Sequence, residues 1–216
     1  LEIFLSHFIA VFAMKTFLAS LVGMIIAVFS AFASDGYKVG DAARDFSLKN
    51  VDGSMVSLAS HKEAREGVIL VFTCNHCPYA KAYESRIIDL HKKFAPKGYP
   101  VVAVNPNDPK ASPEDSFEKM IQRAKEKSFP FVYLFDETQE IAKTYGATRT
   151  PHVYLLKKNG DAFNVAYIGA IDDNSESAEA VKEKYLDEAV SALLSGKSPA
   201  TTSTKAVGCT IKWKKK

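Results

Sequence analysis

The chain has 216 residues, 47% of them apolar and 25% charged, and a formal net charge of +3. That is enough for one domain with a sizeable core, and the charge is too balanced to argue for a nucleic-acid partner. The basic excess collects in Lys212, Lys214, Lys215 and Lys216, which read as a solvated terminus.

Residues 1–13 are apolar and carry no Met, whereas Met14-Lys15 opens a secretory-type leader. Lys15 supplies the charge, Phe17 to Phe29 the apolar stretch, and Ala31-Phe32-Ala33 a small-x-small signal, so cleavage is expected before Ser34. Residues 1–33 are thus expected to be an upstream extension plus signal peptide, with export to a periplasm. The competing reading is an uncleaved anchor, since Thr16 to Ala33 is just long enough to span a bilayer, and only then would the protein touch a membrane.

Residues 34–196 read as one domain. Asp45 to Leu48 and Met55 to Leu58 are expected strands around the turn signal Asp52-Gly53, an N-terminal hairpin. Val68 to Thr73 lacks alternation, which predicts a central strand buried on both faces. The next segment places Ala80, Tyr83, Ile87, Leu90 and Phe94 on one helical stripe, with Pro78 in the first turn, where the missing N–H costs nothing. A strand from Tyr99 to Asn105 follows. Ser112-Pro113-Glu114-Asp115 then reads as an N-cap, a Pro at the first position and acids in the first turn of another helix. Phe131 to Phe135 is a third buried strand. Asp136 and Gln139 suggest a capping box for a short helix ended by Gly146. Val153 to Leu156 and Phe163 to Ile168 flank the turn Asn159-Gly160, and a last helix carries Val181, Tyr185, Ala189 and Leu193. Residues 197–216 read as a Ser/Thr/Pro-rich linker and a basic, Cys-containing tail, either dangling or folded back over the domain.

The chemistry concentrates at Cys74-Asn75-His76-Cys77, between the buried strand and its helix. A thiol is a nucleophile only as thiolate, and a helix N-terminus favours that anion. His76 is placed to hydrogen-bond or pair with it. About 75 residues on, Arg149-Thr150-Pro151 enters another strand. A strand delivering a CxxC onto a helix, with a distant Thr-Pro opening a second strand, is the layout of a thioredoxin-like redox site. In that setting Pro151 is expected to be cis, presenting the Thr150 backbone to an extended substrate, with Arg149 in reach as a cation. A zinc site needs two ligands beyond the pair, and only Cys209 and scattered histidines are at hand, so neither metal nor cofactor is expected. His152 reads as structural, and His61 and His91 as surface residues. The element order suits an α/β, three-layer thioredoxin-like fold with a central mixed sheet.

The run Val71-Phe72-Thr73-Cys74-Asn75-His76-Cys77-Pro78-Tyr79-Ala80-Lys81 resembles the peroxiredoxin-like redoxin family of the alkyl hydroperoxide reductase/thiol-specific antioxidant group. Asn105-Pro106-Asn107-Asp108, Pro113 to Met120, Asp136 to Glu140, Ile171-Asp172-Asp173 and Gly208 to Trp213 extend the likeness over about residues 40 to 216. It implies thiol redox activity at Cys74 and Cys77, in either of two registers. Thioredoxins attack with the first Cys, here Cys74. Peroxiredoxins open the helix Thr-x-x-Cys and attack with the Cys that corresponds to Cys77. Arg149 stands where such relatives often carry a Cys, and the buried acid of thioredoxins would fall near Val68, which is apolar.

The favoured expectation is an exported thiol–disulfide oxidoreductase, with Cys74 attacking and Cys77 resolving. Its partners would be protein disulfides or dithiols and an electron donor or acceptor protein. A second is a peroxidase, with Cys77 attacking peroxide, Cys74 or Cys209 resolving, and Arg149 polarising the peroxide. A third is a redox-inert interaction module with a structural CxxC. Cys209 is the candidate extra thiol.

Overall fold

The computed structural model describes residues 36–215; the leader and its expected cleavage before Ser34 lie outside them. Among the described residues no helix is long and apolar enough to cross a membrane.

The sheet is organised around β4 (Gly67–Phe72), every residue of which is buried. It pairs in parallel with β5 (Val101–Asn105) and antiparallel with β8 (His152–Asn159), which explains its unbroken apolar run: both edges and both faces are covered. With β1 (Ala42–Ala43), β2 (Ser47–Asn50), β3 (Met55–Ser57), β6 (Val132–Phe135) and β9 (Ala162–Gly169) it forms an eight-stranded mixed sheet of order β1-β9-β8-β4-β5-β6-β2-β3. The expected N-terminal hairpin is β2–β3, and β8–β9 is the second hairpin.

Alternation along the strands sorts the core into two layers. Ile69, Val71, Val101, Val153 and Leu155 face α1 (Pro78–Phe94) and α4 (Tyr185–Leu194), through Tyr83, Ile87 and Phe94 of the former and Leu186, Ala189 and Val190 of the latter. Ala103 and Tyr133 extend this face to α2 (Phe117–Lys127), where they meet Met120. Val68, Leu70, Phe72, Val102, Val104 and Leu156 pack on the opposite side against α3 (Glu140–Tyr145), Phe46 and Leu58. The result is the three-layer thioredoxin-like α/β architecture anticipated above.

Three local expectations change, and one left open is decided. Ser112-Pro113-Glu114-Asp115 does not start the helix: Pro113–Asp115 is a 3-10 turn, and Ser116 caps α2 with its side chain accepting from the Lys119 N–H at 3.3 Å. Asp136 caps α3 by itself, accepting from Ala142 at 2.8 Å and Ile141 at 3.4 Å, while Gln139 turns away to the tail. His91 is buried, because its ring accepts the Val101 N–H at 3.2 Å where α1 meets β5. Finally, the C-terminal segment is docked. Thr204 bonds Tyr167 and Ala170, β10 (Cys209–Thr210) pairs with β7 (Arg149–Thr150), and Ile211 enters the core.

Candidate active site

β4 ends at Phe72, and Thr73 keeps one more ladder bond to the Val104 carbonyl. The chain then turns through Cys74, Asn75 and His76 to Cys77, which is the N-cap of α1 in an extended conformation with Pro78 behind it. Cys77 has no exposed surface and Cys74 only 3%. Across from them lies Thr150, also fully buried, ahead of a cis Thr150–Pro151 bond. The Cys74 sulfur is 3.2 Å from the Thr150 hydroxyl, and the Cys77 sulfur is 3.2 Å from the Thr150 carbonyl, to which it donates when protonated. Cys74, Cys77, Thr150 and Pro151 therefore meet, as the spacing predicts. Cys209 joins them, packed against the pair from β10.

The two cysteines pack together in one buried cluster, and each shifts the proton affinity of the other. The hydrogen bond from Cys74 holds Cys77 well below the ordinary thiol range against the opposing effect of burial, and bonds from Cys209 and the Ala80 N–H at the helix N-terminus help. The same bond, with burial and the nearby Asp115 charge, pushes Cys74 well above that range.

His76 reaches the Cys74 sulfur as expected but has further partners, and Arg149 is engaged by the tail. His76 lies 3.9 Å from the Cys74 sulfur but bonds the Asp115 carboxylate, with Ser112 at 3.1 Å. Arg149 donates to the Gly208 carbonyl at 2.9 Å, so it holds the tail. His152 is structural, its ring tilted against Tyr154.

Asp115 is the residue the sequence reading missed. Its buried carboxylate accepts the backbone N–H groups of Asn75 (2.7 Å) and His76 (3.3 Å), and the side chains of Asn107 and Ser112 at 2.8 Å each. It fixes the CxxC loop by holding two of its backbone N–H groups. Its neighbour Asn75 is held in turn by the Tyr133 hydroxyl at 2.9 Å and the Glu114 carbonyl at 2.9 Å. The available signal was the polar run Asn105, Asn107, Asp108, Ser112, Asp115 directly after a buried strand. Such residues so close to a core must satisfy one another. Cys74, His76 and Asp115 also bring three donor atoms within 4.8 Å of one another, a geometry compatible with a metal, although both Asp115 oxygens already accept hydrogen bonds from the protein.

The sequence model of the AhpC/TSA family matches residues 39–168. The chain is 30% identical to a thiol-disulfide oxidoreductase ResA of Oceanobacillus iheyensis over 158 residues, 70% of this chain and 77% of that one. It is 27% identical to a chloroplastic peroxiredoxin Q of Oryza sativa over 56% of this chain and 55% of the other. Among solved structures, an uncharacterized conserved protein from Geobacillus kaustophilus superposes with a TM-score of 0.76 at 37% identity, covering 82% of this chain and 93% of that one.

Proposed function

The chain belongs to the AhpC/TSA family and is a thioredoxin-fold oxidoreductase, and within that class we propose that it is a thiol–disulfide exchange enzyme in which Cys74 attacks and Cys77 resolves. The observation carrying this reading is geometric: a slightly exposed Cys74 sulfur beside the Thr150 hydroxyl stands in front of a wholly buried Cys77 at the N-cap of α1, whose sulfur faces the Thr150 carbonyl. Cys74 attacks one sulfur of a substrate disulfide as its proton passes to Cys77, whose S–H then donates to the Thr150 carbonyl. The departing substrate sulfur leaves as thiolate and takes that proton. Cys77, thiolate again, attacks the Cys74 sulfur, closes the Cys74–Cys77 disulfide and releases the second substrate thiolate. In reverse, a substrate thiolate attacks Cys74, and Cys77 is the good leaving group because its anion is stabilised. Protein disulfides and dithiols are the proposed substrates. The leader ending at Ala33 argues for action outside the cytoplasm.

The low thiol at Cys77 favours one second reading, attack on peroxide. Two features oppose it. Cys77 is wholly buried, and the residue three before it is Cys74, so the Thr-x-x-Cys pattern is not met. Trapping separates the two readings. Cys77→Ser should accumulate a mixed disulfide between Cys74 and a model protein disulfide, whereas Cys74→Ser should trap none. Hydrogen peroxide should oxidise the reduced protein no faster than a free thiol. Stopped-flow oxidation far above that rate, lost only in Cys77→Ser, would overturn the exchange reading.

A further inference from the structure

The edge of β7 is where an extended partner chain would pair beside the two sulfurs, by strand addition. In this protein the edge is taken. Cys209 sits opposite Thr150 and Thr210 opposite Arg149 in antiparallel register. The strand is fixed on both sides: Arg149 holds the Gly208 carbonyl at 2.9 Å, and Ile211 donates to the Thr148 carbonyl at 3.2 Å. Beyond it, the Lys212 N–H donates to the Asn107 side chain and its carbonyl accepts from Asp108 and the Gln139 amide, each at 2.8 Å. Gly208 permits the approach, since a Cβ there would fall 2.2 Å from the Thr150 carbonyl oxygen. The partly buried Cys209 is thereby packed against the cluster that holds Cys74 and Cys77.

We propose that Cys209 is a third exchange thiol, and that the segment carrying it is a tethered partner strand to which the enzyme passes its own disulfide. The inference rests on the Cys74–Cys77 exchange reading. After Cys74–Cys77 closes, the Cys209 thiolate attacks the Cys77 sulfur. The Cys77–Cys209 bond forms, the Cys74–Cys77 bond breaks, and Cys74 leaves with the electron pair and takes up a proton equivalent to the one Cys209 released. The two-electron oxidation stays on the protein, so no outside oxidant is consumed.

The electrostatics give this step an order. In the reduced protein burial, with the hydrogen bond to Cys77 and that group's negative charge, pushes Cys209 up to about 11, while Lys212 and Arg149 pull it down. Once Cys77 is bonded to Cys74 its charge is gone, which removes one of the causes holding the Cys209 proton, although burial, the largest of them, remains. Cys209 is therefore held more firmly as a thiol in the reduced protein than after the pair is oxidised.

Peptide mapping tests it on the full chain. Reduced protein is titrated with diamide, quenched in acid, blocked with N-ethylmaleimide and cut with trypsin without reduction. Cleavage after Arg65, Lys81, Lys205 and Lys212 leaves Cys74 and Cys77 in one peptide and Cys209 in another. Wild type should show both the bond closed within a peptide and the bond joining the two. Cys74→Ser should show only the joining bond, at monomer mass. Adding Gly208→Ala to Cys74→Ser should slow that bond at least tenfold, and Arg149→Ala several-fold, with a urea transition retained in each. Cys209 freely alkylated at every oxidant ratio, in wild type and Cys74→Ser alike, while Cys74–Cys77 closes, overturns the relay and leaves the exchange reading standing. A joining bond in a protein whose Cys77→Ser variant traps no disulfide substrate overturns the exchange reading, and the relay with it.

Discussion

Asp115 couples two properties that usually move together and here should separate. Its carboxylate ties down the Asn75 and His76 backbone and the Asn107 and Ser112 side chains, so removing the charge weakens several charge-assisted bonds at once. Asp115→Asn should therefore lower stability by about 1.5–3 kcal/mol in urea unfolding. The same charge is one of the causes holding the Cys74 proton on, after the Cys77 bond and burial. Its loss should shift the alkylation of Cys74 by iodoacetamide, followed by mass mapping, to lower pH. A variant that is less stable but has an unchanged Cys74 profile would reduce Asp115 to a purely structural brace.

At the level of elements, what was legible followed from how local the signal is. β4, β8 and the α1 stripe each have a periodicity of their own, and the structure places Ala80, Tyr83, Ile87, Leu90 and Phe94 in the core as read. The contact of Cys74 and Cys77 with Thr150 was also legible, because a short CxxC and an X-Pro strand start are local patterns. Asp115 was not. Ser-Pro-Glu-Asp has the composition of a helix start, and the tertiary pull of unpaired backbone N–H groups in the CxxC loop turns the acid inward instead. The tail was ambiguous for a related reason, since its anchors on Asn107, Gln139 and Arg149 are far away in sequence. One element-level constraint concerns Gly67, at the start of β4. A Cβ there would lie 2.1 Å from the Leu156 carbonyl and 2.3 Å from the Tyr99 ring, in a row paired with β8. Gly67→Ala should cost about 2–4 kcal/mol by pushing β8 or Tyr99 aside, seen as a lower urea midpoint. A midpoint unchanged from wild type would mean that the β4–β8 register is looser than drawn.

For the whole molecule, a sheet closed on both faces leaves little room for charge, and two histidines are caught inside. Burial pushes His152 down to about 4, and burial also lowers His91, whose ring must stay neutral to accept the Val101 N–H. In the unfolded chain each takes up a proton near pH 6.5. A folded-state value below the unfolded one means that the unfolded state binds more protons as the solution is acidified. The stability that depends on neutral imidazoles is therefore complete above about pH 6.5 and lost as the pH falls towards 4. For His152 alone the loss by pH 4 is about 3 kcal/mol. Asp136 works in the opposite sense lower down, because burial raises its carboxyl and the folded state takes that proton first. The net positive charge of the chain adds a general repulsion at acid pH, common to wild type and variant. Comparing them isolates the imidazole. His152→Gln keeps an acceptor for the Thr148 N–H but cannot take up a proton in this range. Its urea midpoint should fall less steeply than that of wild type between pH 6.5 and 4. Parallel profiles would mean that the ring is protonated in the fold, so that β8 begins at a charge rather than at a buried neutral ring.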